Sequence, residues 1–215
     1  MYLCWSAKGG SGTTVVSASL ALVLSHQRPT LLVDLAGDAP AALGLPEPAG
    51  PGLGDWLASP TADAAALLRL AVPATDTLQV LPVGSTPVDR ASPRLAALVA
   101  ALQHLGHAIV IDAGTGAPPS TLFDAATHRL IVTRPCYLSL RRAVASGLQP
   151  TGIVLVGEPG RALQSRDVER ALHAPIVAEV EYDPSVARSV DAGLLAARLP
   201  RSLSHSLAPS TKAAA

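Results

Sequence analysis

Cysteine, aromatic residues and net charge are all scarce in this chain of 215 residues. It has 2 cysteines, aromatic side chains make up 3% of the residues, and 16 basic residues balance 16 acidic ones. Two distant thiols supply neither a disulfide framework nor a cluster of metal ligands, which favours a reducing compartment. The zero net charge argues against bulk attraction to nucleic acid or to anionic lipid.

The chain also lacks a long apolar segment and a basic N-terminal region. Its most apolar stretch, residues 15–24, is too short and too rich in serine and alanine to span a bilayer. The first apolar run starts at Tyr2 with no basic region before it, so no signal peptide is predicted. We therefore expect a soluble cytoplasmic protein, with a single domain over residues 1–208 and a disordered tail over residues 209–215.

Short apolar runs alternate with helical patterns along the chain. Seven runs are predicted as strands, at residues 2–5, 30–34, 78–83, 108–112, 130–133, 152–156 and 176–180. Helices are predicted between them, the first at 14–26 and another capped by Ser92 and Pro93. Strands that are apolar on both faces and alternate with helices indicate an α/β fold, with a mostly parallel sheet of about seven strands covered by helices on both faces.

A glycine-rich segment, residues 6–14, follows the first predicted strand. Gly9, Gly10 and Gly12 lack Cβ atoms, so the backbone can curl and point successive N–H groups at an anion. Thr14 is expected to begin a helix whose positive dipole end faces that anion. The order strand, glycine loop, helix and strand is the context that a phosphate-binding loop requires. The predicted nucleotide-binding residues of this loop are Gly9, Gly10, Ser11, Gly12, Thr13 and Thr14.

Two aspartates are predicted to lie at the same edge of the sheet as this loop. Asp34 and Asp112 each follow an apolar strand, and ligands of open parallel sheets bind beyond the carboxyl ends of the strands. The Thr14 hydroxyl and Asp112 are the usual protein ligands of Mg²⁺ in a P-loop nucleotide site. Residues 112–116 also fit the pattern D-x-x-x-G, which predicts that the N–H of Gly116 contacts a γ-phosphate. Both aspartates have a structural alternative as caps of loop N–H groups.

The segment from Lys8 to Thr14 resembles the deviant Walker A motif, K-G-G-x-G-K-[ST], of the ParA/MinD ATPases. The resemblance continues through residues 32–35, 109–113, 132–141 and 182–184, so it covers nearly the whole chain. It implies a P-loop NTPase-like fold that binds ATP and Mg²⁺ and forms a sandwich homodimer. In such a dimer Lys8 reaches across to the nucleotide of the partner subunit, and Lys8 and Asp34 are the expected catalytic residues.

Residues 37–57 are most similar to the CpaE/TadZ branch of this family, whose members help to place pilus and secretion machinery. This likeness implies a protein partner in a positioning or secretion system. Contact with a membrane surface is expected only through a partner or through a weak C-terminal helix at 199–207, for which packing onto the protein body is favoured at this length.

Three positions depart from the family pattern. Thr13 occupies the place of the in-line lysine, Ala36 that of a second switch I aspartate, and Gly157 that of an asparagine that reads adenine. Asp38 would replace the missing aspartate only with a rearranged loop. Charge-assisted contacts contribute about 1.5–3 kcal/mol each, so each loss predicts roughly ten- to hundredfold weaker phosphate binding. We therefore expect a dimerising, nucleotide-binding positioning factor with slow or absent ATP hydrolysis.

Two alternatives to this interpretation stay open on the sequence. The chain is an active ATPase if Lys8 from the partner subunit replaces the missing lysine, and it is a pure interaction module if the fold has lost the nucleotide. A DNA-partition function is the least favoured, because the chain has no net charge and no basic run.

Overall fold

A sheet of eight strands carries the fold in the computed structural model, which describes residues 1–208. The predicted disordered tail at 209–215 lies outside the described residues. The strands are β1 (Tyr2–Ser6), β2 (Thr30–Asp34), β3 (Val72–Pro73), β4 (Leu78–Leu81), β5 (Ala108–Thr115), β6 (His128–Thr133), β7 (Gly152–Val156) and β8 (Ile176–Val180).

The strand order is β3-β4-β2-β5-β1-β6-β7-β8, and every neighbouring pair is parallel except β3 with β4. β1 therefore lies in the interior of the sheet, between β5 and β6. From β1 the chain turns first towards the β2 side and later towards the β6 side, which makes the carboxyl end of β1 a switch point where ligands bind in such sheets.

Helices cover both faces of the sheet, as the sequence predicts. They are α1 (Thr13–Ser25), α2 (Ala39–Leu43), α3 (Leu53–Ala58), α4 (Ala64–Arg69), α5 (Leu95–His104), α6 (Ser120–Ala125), α7 (Tyr137–Ala145), α8 (Ser165–Leu172), α9 (Pro184–Asp191) and α10 (Arg201–Ser206). Side chains from α3 to α8 pack in one core, and those from α1, α2, α9 and α10 pack in the other. β1 shows why both faces are covered, because Leu3 and Trp5 enter the first core and Cys4 enters the second.

Helix α1 is apolar almost all round, and 11 of its 13 residues are buried. A helix with this composition must lie inside the protein rather than along its surface. The buried hydroxyl of Ser17 donates to the Thr13 carbonyl at 2.9 Å, whereas the buried hydroxyl of Ser19 on the same helix has no partner among the described residues. The burial of α1 places its N-terminus, and the glycine-rich loop before it, at the carboxyl edge of the sheet.

All seven predicted strands are present, and the structure adds an eighth. β3 is two residues long, pairs antiparallel with β4 and contains Pro73, which cannot donate to a sheet and is therefore confined to an edge. The sequence patterns also missed the short helices α2 and α6. The prediction that Ser92 and Pro93 begin a helix is wrong. Ser92 forms a turn in which its carbonyl accepts from the N–H of Leu95, and the helix begins only at Leu95.

The last helix packs onto the protein body, as its length favoured. Leu203 and Leu207 of the α10 region are buried in the core that contains α1. No helix among the described residues is both long enough and apolar enough to cross a membrane.

We expect Leu203→Ala to lower the free energy of unfolding by about 2–5 kcal/mol, because Leu203 is 1% exposed and its removal leaves a cavity under α1. The matched control is Leu194→Ala, where the leucine is 48% exposed and the expected change is within about 0.5 kcal/mol. Urea denaturation followed by circular dichroism measures both values. Equal effects of the two substitutions would mean that α10 does not unfold together with the sheet.

Candidate functional site

The glycine-rich loop joins β1 to α1 and takes the curled form that the sequence predicts. Gly10 and Gly12 have φ angles of 77° and 93°, in the left-handed region that glycine adopts without strain. The Ser11 hydroxyl donates to the Lys8 carbonyl at 2.7 Å, which closes the loop on itself. The Gly12 carbonyl accepts from the N–H of Val16 at 2.9 Å and so starts the helix. α1 begins at Thr13, one residue before the predicted Thr14.

The backbone N–H groups of this loop have no acceptor in the protein. Among the described residues, none of the N–H groups from Gly9 to Val15 donates to a protein oxygen. They lie at the N-terminal end of a buried helix of 13 residues, where the helix dipole adds positive potential. This arrangement of donors favours a bound phosphate or a similar anion.

A cavity of about 480 Å³ lies beside the loop. Its size is within the range of about 300–1,000 Å³ that is typical of small-molecule sites. Residues 10–15 form one side of it, and the other lining residues are Leu35, Ala36, Asp38, Arg90, Gly114 and Thr115.

Asp112 lies next to this loop as a fully buried carboxylate. β5 continues past it to Thr115, so Asp112 does not end its strand as predicted. It is aligned with Cys4 on β1 and with Asp34 on β2. Its Oδ1 accepts from the N–H of Gly114 at 3.0 Å, whereas its Oδ2 is buried and has no partner among the described residues.

The pKa of Asp112 is raised to about 6. Burial is the largest cause, because it disfavours the charged form, and the negative charges of Asp34 and Asp38 add to it. The Thr14 hydroxyl and the Gly114 N–H act in the opposite direction and lower the pKa. Thr14 is therefore close enough to Asp112 to influence its charge.

This pair of oxygen donors fits a magnesium ion that is shared with a phosphate ligand. Mg²⁺ prefers oxygen ligands and usually keeps one or two protein contacts together with water and substrate phosphates. The unpartnered Oδ2 of Asp112 and the nearby Thr14 hydroxyl are such contacts. No group of three or more His, Cys, Asp or Glu side chains in residues 1–208 is arranged to hold a metal by itself. A cation at this position would need further oxygens from water or from a ligand.

Asp34 takes the structural alternative that the sequence left open. It is fully buried, and its carboxylate accepts from the N–H groups of Ala36 (2.9 Å), Gly37 (2.8 Å) and Ala39 (3.0 Å). Burial raises its pKa, and the three backbone hydrogen bonds oppose that effect. Asp34 does not line the cavity, whereas Asp38 does. The catalytic role of Asp34 stays a prediction. In this structure its carboxylate stabilises the turn after β2.

Lys8 does not line the cavity beside its own loop. Its Nζ donates to the adjacent Gly9 carbonyl at 3.2 Å. Its positive charge contributes to the lowered pKa of Cys136, after larger effects that include the Ser139 N–H. Lys8 therefore lies towards the start of α7 and outside the cavity beside its loop.

Gly116 and Gly157 are both engaged in backbone contacts. The N–H of Gly116 donates to the Ser6 carbonyl at 2.8 Å, so in this structure it does not face the cavity as the D-x-x-x-G pattern predicts. The N–H of Gly157 donates to the Val180 carbonyl at 2.7 Å. A Cβ on Gly157 would lie 3.2 Å from both the Tyr182 nitrogen and the Val180 oxygen, so a side chain there would have to displace its neighbours.

The sequence patterns missed Arg90, which the structure places in the cavity wall. Its guanidinium donates to the carbonyls of Ala113 at 2.6 Å and Ala117 at 3.1 Å. The sequence offers one weak signal, because the connection after the strand at 78–83 contains two basic residues, Arg90 and Arg94. That loop leaves the same edge of the sheet as the glycine-rich loop.

Several solved structures share this fold over nearly the whole chain. MinD from Aquifex aeolicus has a TM-score of 0.79 at 20% identity, with 97% of this chain and 94% of that chain covered. It also occurs in a MinC:MinD complex, with a TM-score of 0.77 at 19% identity and coverage of 97% and 93%. A ParA family ATPase from Chlorobium tepidum TLS has a TM-score of 0.76 at 21% identity, with coverage of 96% and 97%.

The septum site-determining protein MinD from Pyrococcus horikoshii OT3, complexed with Mg-ADP, has a TM-score of 0.76 at 20% identity, with coverage of 97% and 93%. No family model matches the sequence, and no curated protein is similar enough to match it. At these identities the likenesses show the fold, which is the α/β fold of the ParA and MinD P-loop structures.

We expect Asp112→Asn to stabilise the metal-free protein at pH 7. The pKa of this carboxyl is higher in the folded than in the unfolded state, so the folded protein binds more protons between about pH 4 and pH 6, and stability falls as pH rises through that window. The full difference corresponds to about 3 kcal/mol. Urea denaturation with a chelator present should give a more stable variant at pH 7 and little difference at pH 4.

Asp191→Asn is the matched control, because Asp191 is exposed on α9 and should leave the pH profile unchanged. An Asp112→Asn variant that is less stable than the natural chain at pH 7 without metal would contradict this account of the buried carboxylate.

Proposed function

We propose that this chain binds ATP with Mg²⁺ at the glycine-rich loop and acts as a ParA/MinD-like positioning or scaffold factor with slow or absent hydrolysis. The observation that carries the proposal is the row of N–H groups from Gly9 to Val15, which have no acceptor in the described protein, beside the buried, unpartnered Oδ2 of Asp112. An anion satisfies the first feature and a cation satisfies the second. A magnesium-bound polyphosphate carries both charges in one ligand.

The likeness in fold supports this ligand. The MinD structure from Pyrococcus horikoshii contains Mg-ADP, and it covers 97% of this chain. The two ligand-facing residues assigned to the metal here are the Thr14 hydroxyl and the Asp112 carboxylate. When bound there, Mg²⁺ would neutralise part of the phosphate charge.

Weak catalysis follows from what lines the cavity. Thr13 lies at the lining position of the usual lysine and carries no charge. Asp34 uses its carboxylate on three backbone N–H groups, and Ala36 offers only a methyl group. Catalysis of phosphoryl transfer depends on charges placed around the transferred group. A site without these groups retains binding through the loop and loses much of the rate.

A homodimer in which Lys8 faces the partner subunit is part of this proposal. Lys8 lies outside its own cavity, and its charge acts on Cys136 at the start of α7. On the same helix, Tyr137, Leu138 and Val144 expose large apolar side chains, with 73% of the Tyr137 surface accessible. Exposed apolar side chains that lie together are typical of interaction sites.

A protein partner in a positioning system, as in the CpaE/TadZ branch, completes the proposal. The MinC:MinD complex is an example of a protein of this fold with a protein partner. The resemblance of residues 37–57 to the CpaE/TadZ branch favours pilus or secretion assembly as the process.

Titration of labelled ATP with Mg²⁺, together with light scattering for the oligomeric state, tests the proposal. We expect saturable binding, a shift from monomer to dimer and little phosphate release. Turnover at a rate of about 1 s⁻¹ or more, within the common enzyme range, would instead support an active ATPase with Lys8 acting from the partner. No binding at millimolar nucleotide would overturn the proposal and favour an interaction module without nucleotide.

We expect Thr13→Lys to bind ATP roughly ten- to hundredfold more tightly, because the new ammonium group would form a charge-assisted contact with phosphate. Isothermal titration calorimetry with Mg-ATP measures the change. Thr13→Ser is the matched control, since it keeps a small hydroxyl and adds no charge. Equal affinities of the lysine and serine variants would show that the loop does not hold the phosphates.

A further inference from the structure

Arg90 is held in the cavity wall opposite the glycine-rich loop. It lies on the connection between β4 and α5, and its two terminal nitrogens donate to the carbonyls of Ala113 and Ala117. Both acceptors belong to the segment that follows Asp112. Two hydrogen bonds already hold the planar guanidinium in one orientation before a ligand binds. Binding a ligand would therefore cost this side chain little further conformational entropy.

Arg90 forms no salt bridge among the described residues, although Asp38 lines the same cavity. A guanidinium has five N–H donors, and the two contacts are to neutral carbonyl groups. Within residues 1–208 the salt bridges involve Arg134, Arg161 and Glu158, and none involves Arg90. Among the residues that line the cavity, Arg90 is the only basic one.

The residue beside Arg90 explains why its charge stays available. An ideal Cβ on Gly114 would lie 2.9 Å from the Ala36 Cβ and 3.8 Å from an Arg90 terminal nitrogen. Ala36 and Arg90 therefore flank the same point of the backbone. The ParA/MinD pattern expects an aspartate at position 36, whose carboxylate would compete for this guanidinium. The methyl group of alanine leaves it free for an anionic ligand.

We infer that Arg90 binds the phosphate groups of a nucleoside polyphosphate and supplies the cationic contact that Thr13 lacks. The inference rests on the proposed function. In this inference the positive charge that contacts phosphate lies on Arg90 and not in the glycine-rich loop. Arg90 is hydrogen-bonded to the segment after Asp112. Because Arg90 also holds the carbonyls of Ala113 and Ala117, phosphate binding would be coupled to the position of residues 113–117. A lysine in the glycine-rich loop would not provide this coupling.

Calorimetric titration of Arg90→Gln with Mg-ATP, Mg-ADP and adenosine tests the inference. We expect affinity for ATP and ADP to fall roughly ten- to hundredfold, because a charge-assisted contact is lost, while any affinity for adenosine stays unchanged.

Thr13→Lys in the Arg90→Gln background should recover phosphate affinity. Arg90→Lys keeps the positive charge but lacks the planar set of N–H donors, and should give an intermediate affinity. Arg69→Gln, an exposed change on α4, is the matched control and should have no effect.

A purely structural role for Arg90 gives a different pattern. In that case Arg90→Gln would lower the melting temperature of the ligand-free protein and weaken ATP and adenosine binding by the same factor, which would overturn the inference. Normal ATP binding by Arg90→Gln would also overturn it and leave the proposed function intact. A natural chain that binds no ATP at millimolar concentration would overturn the proposed function, and the inference with it.

Discussion

Two opposite unsatisfied groups, packed side by side, are the constraint on which this structure depends. A buried carboxylate oxygen of Asp112 has no partner in the described protein, and the N–H groups from Gly9 to Val15 have no acceptor there. Burying an unpaired polar group is costly, and native proteins retain few such groups. This cost falls on the Asp112 oxygen, whereas the N–H groups of Gly9 and Gly10 belong to exposed residues. The two groups do not hydrogen-bond to each other in the described protein. A ligand that carries both a cation and an anion satisfies both.

The rest of the fold keeps these groups in place. α1 is buried on nearly all sides, so its N-terminus cannot move without disturbing the core that also contains α10. The Asp34 carboxylate accepts three backbone hydrogen bonds in the turn after β2 and so holds the part of the cavity wall that contains Ala36 and Asp38. The lining of the cavity is therefore built from rigid elements, and its weak point is chemical rather than geometric. The described lining contains one basic side chain, Arg90, and one acidic side chain, Asp38.

Much of this architecture was predictable, for physical reasons. The apolar run 152–156 matched its strand at both ends, because a strand buried on both faces admits little besides apolar residues. The run 176–180 also matched, although it is an edge strand with Val177 and Glu179 exposed. β3 was missed because two residues at a sheet edge leave no periodic pattern. The Ser92 cap was wrong because the same side chain also stabilises a turn. The Gly116 N–H was assigned to a ligand because sequence cannot reveal that the Ser6 carbonyl lies beside it.

The sequence by itself determined the class of fold and the place of the site. Glycines between a strand and a helix permit the curled, left-handed backbone that a phosphate-binding loop needs, and aspartates after parallel strands must gather at one edge. The roles of individual side chains were decided by the tertiary structure. Asp34 became a cap and Arg90 became the cation in the cavity wall, 23 residues from the carbonyl of Ala113 that holds it. Such pairings depend on which distant loops lie close together in the folded chain, and the spacing of residues along the sequence does not show this.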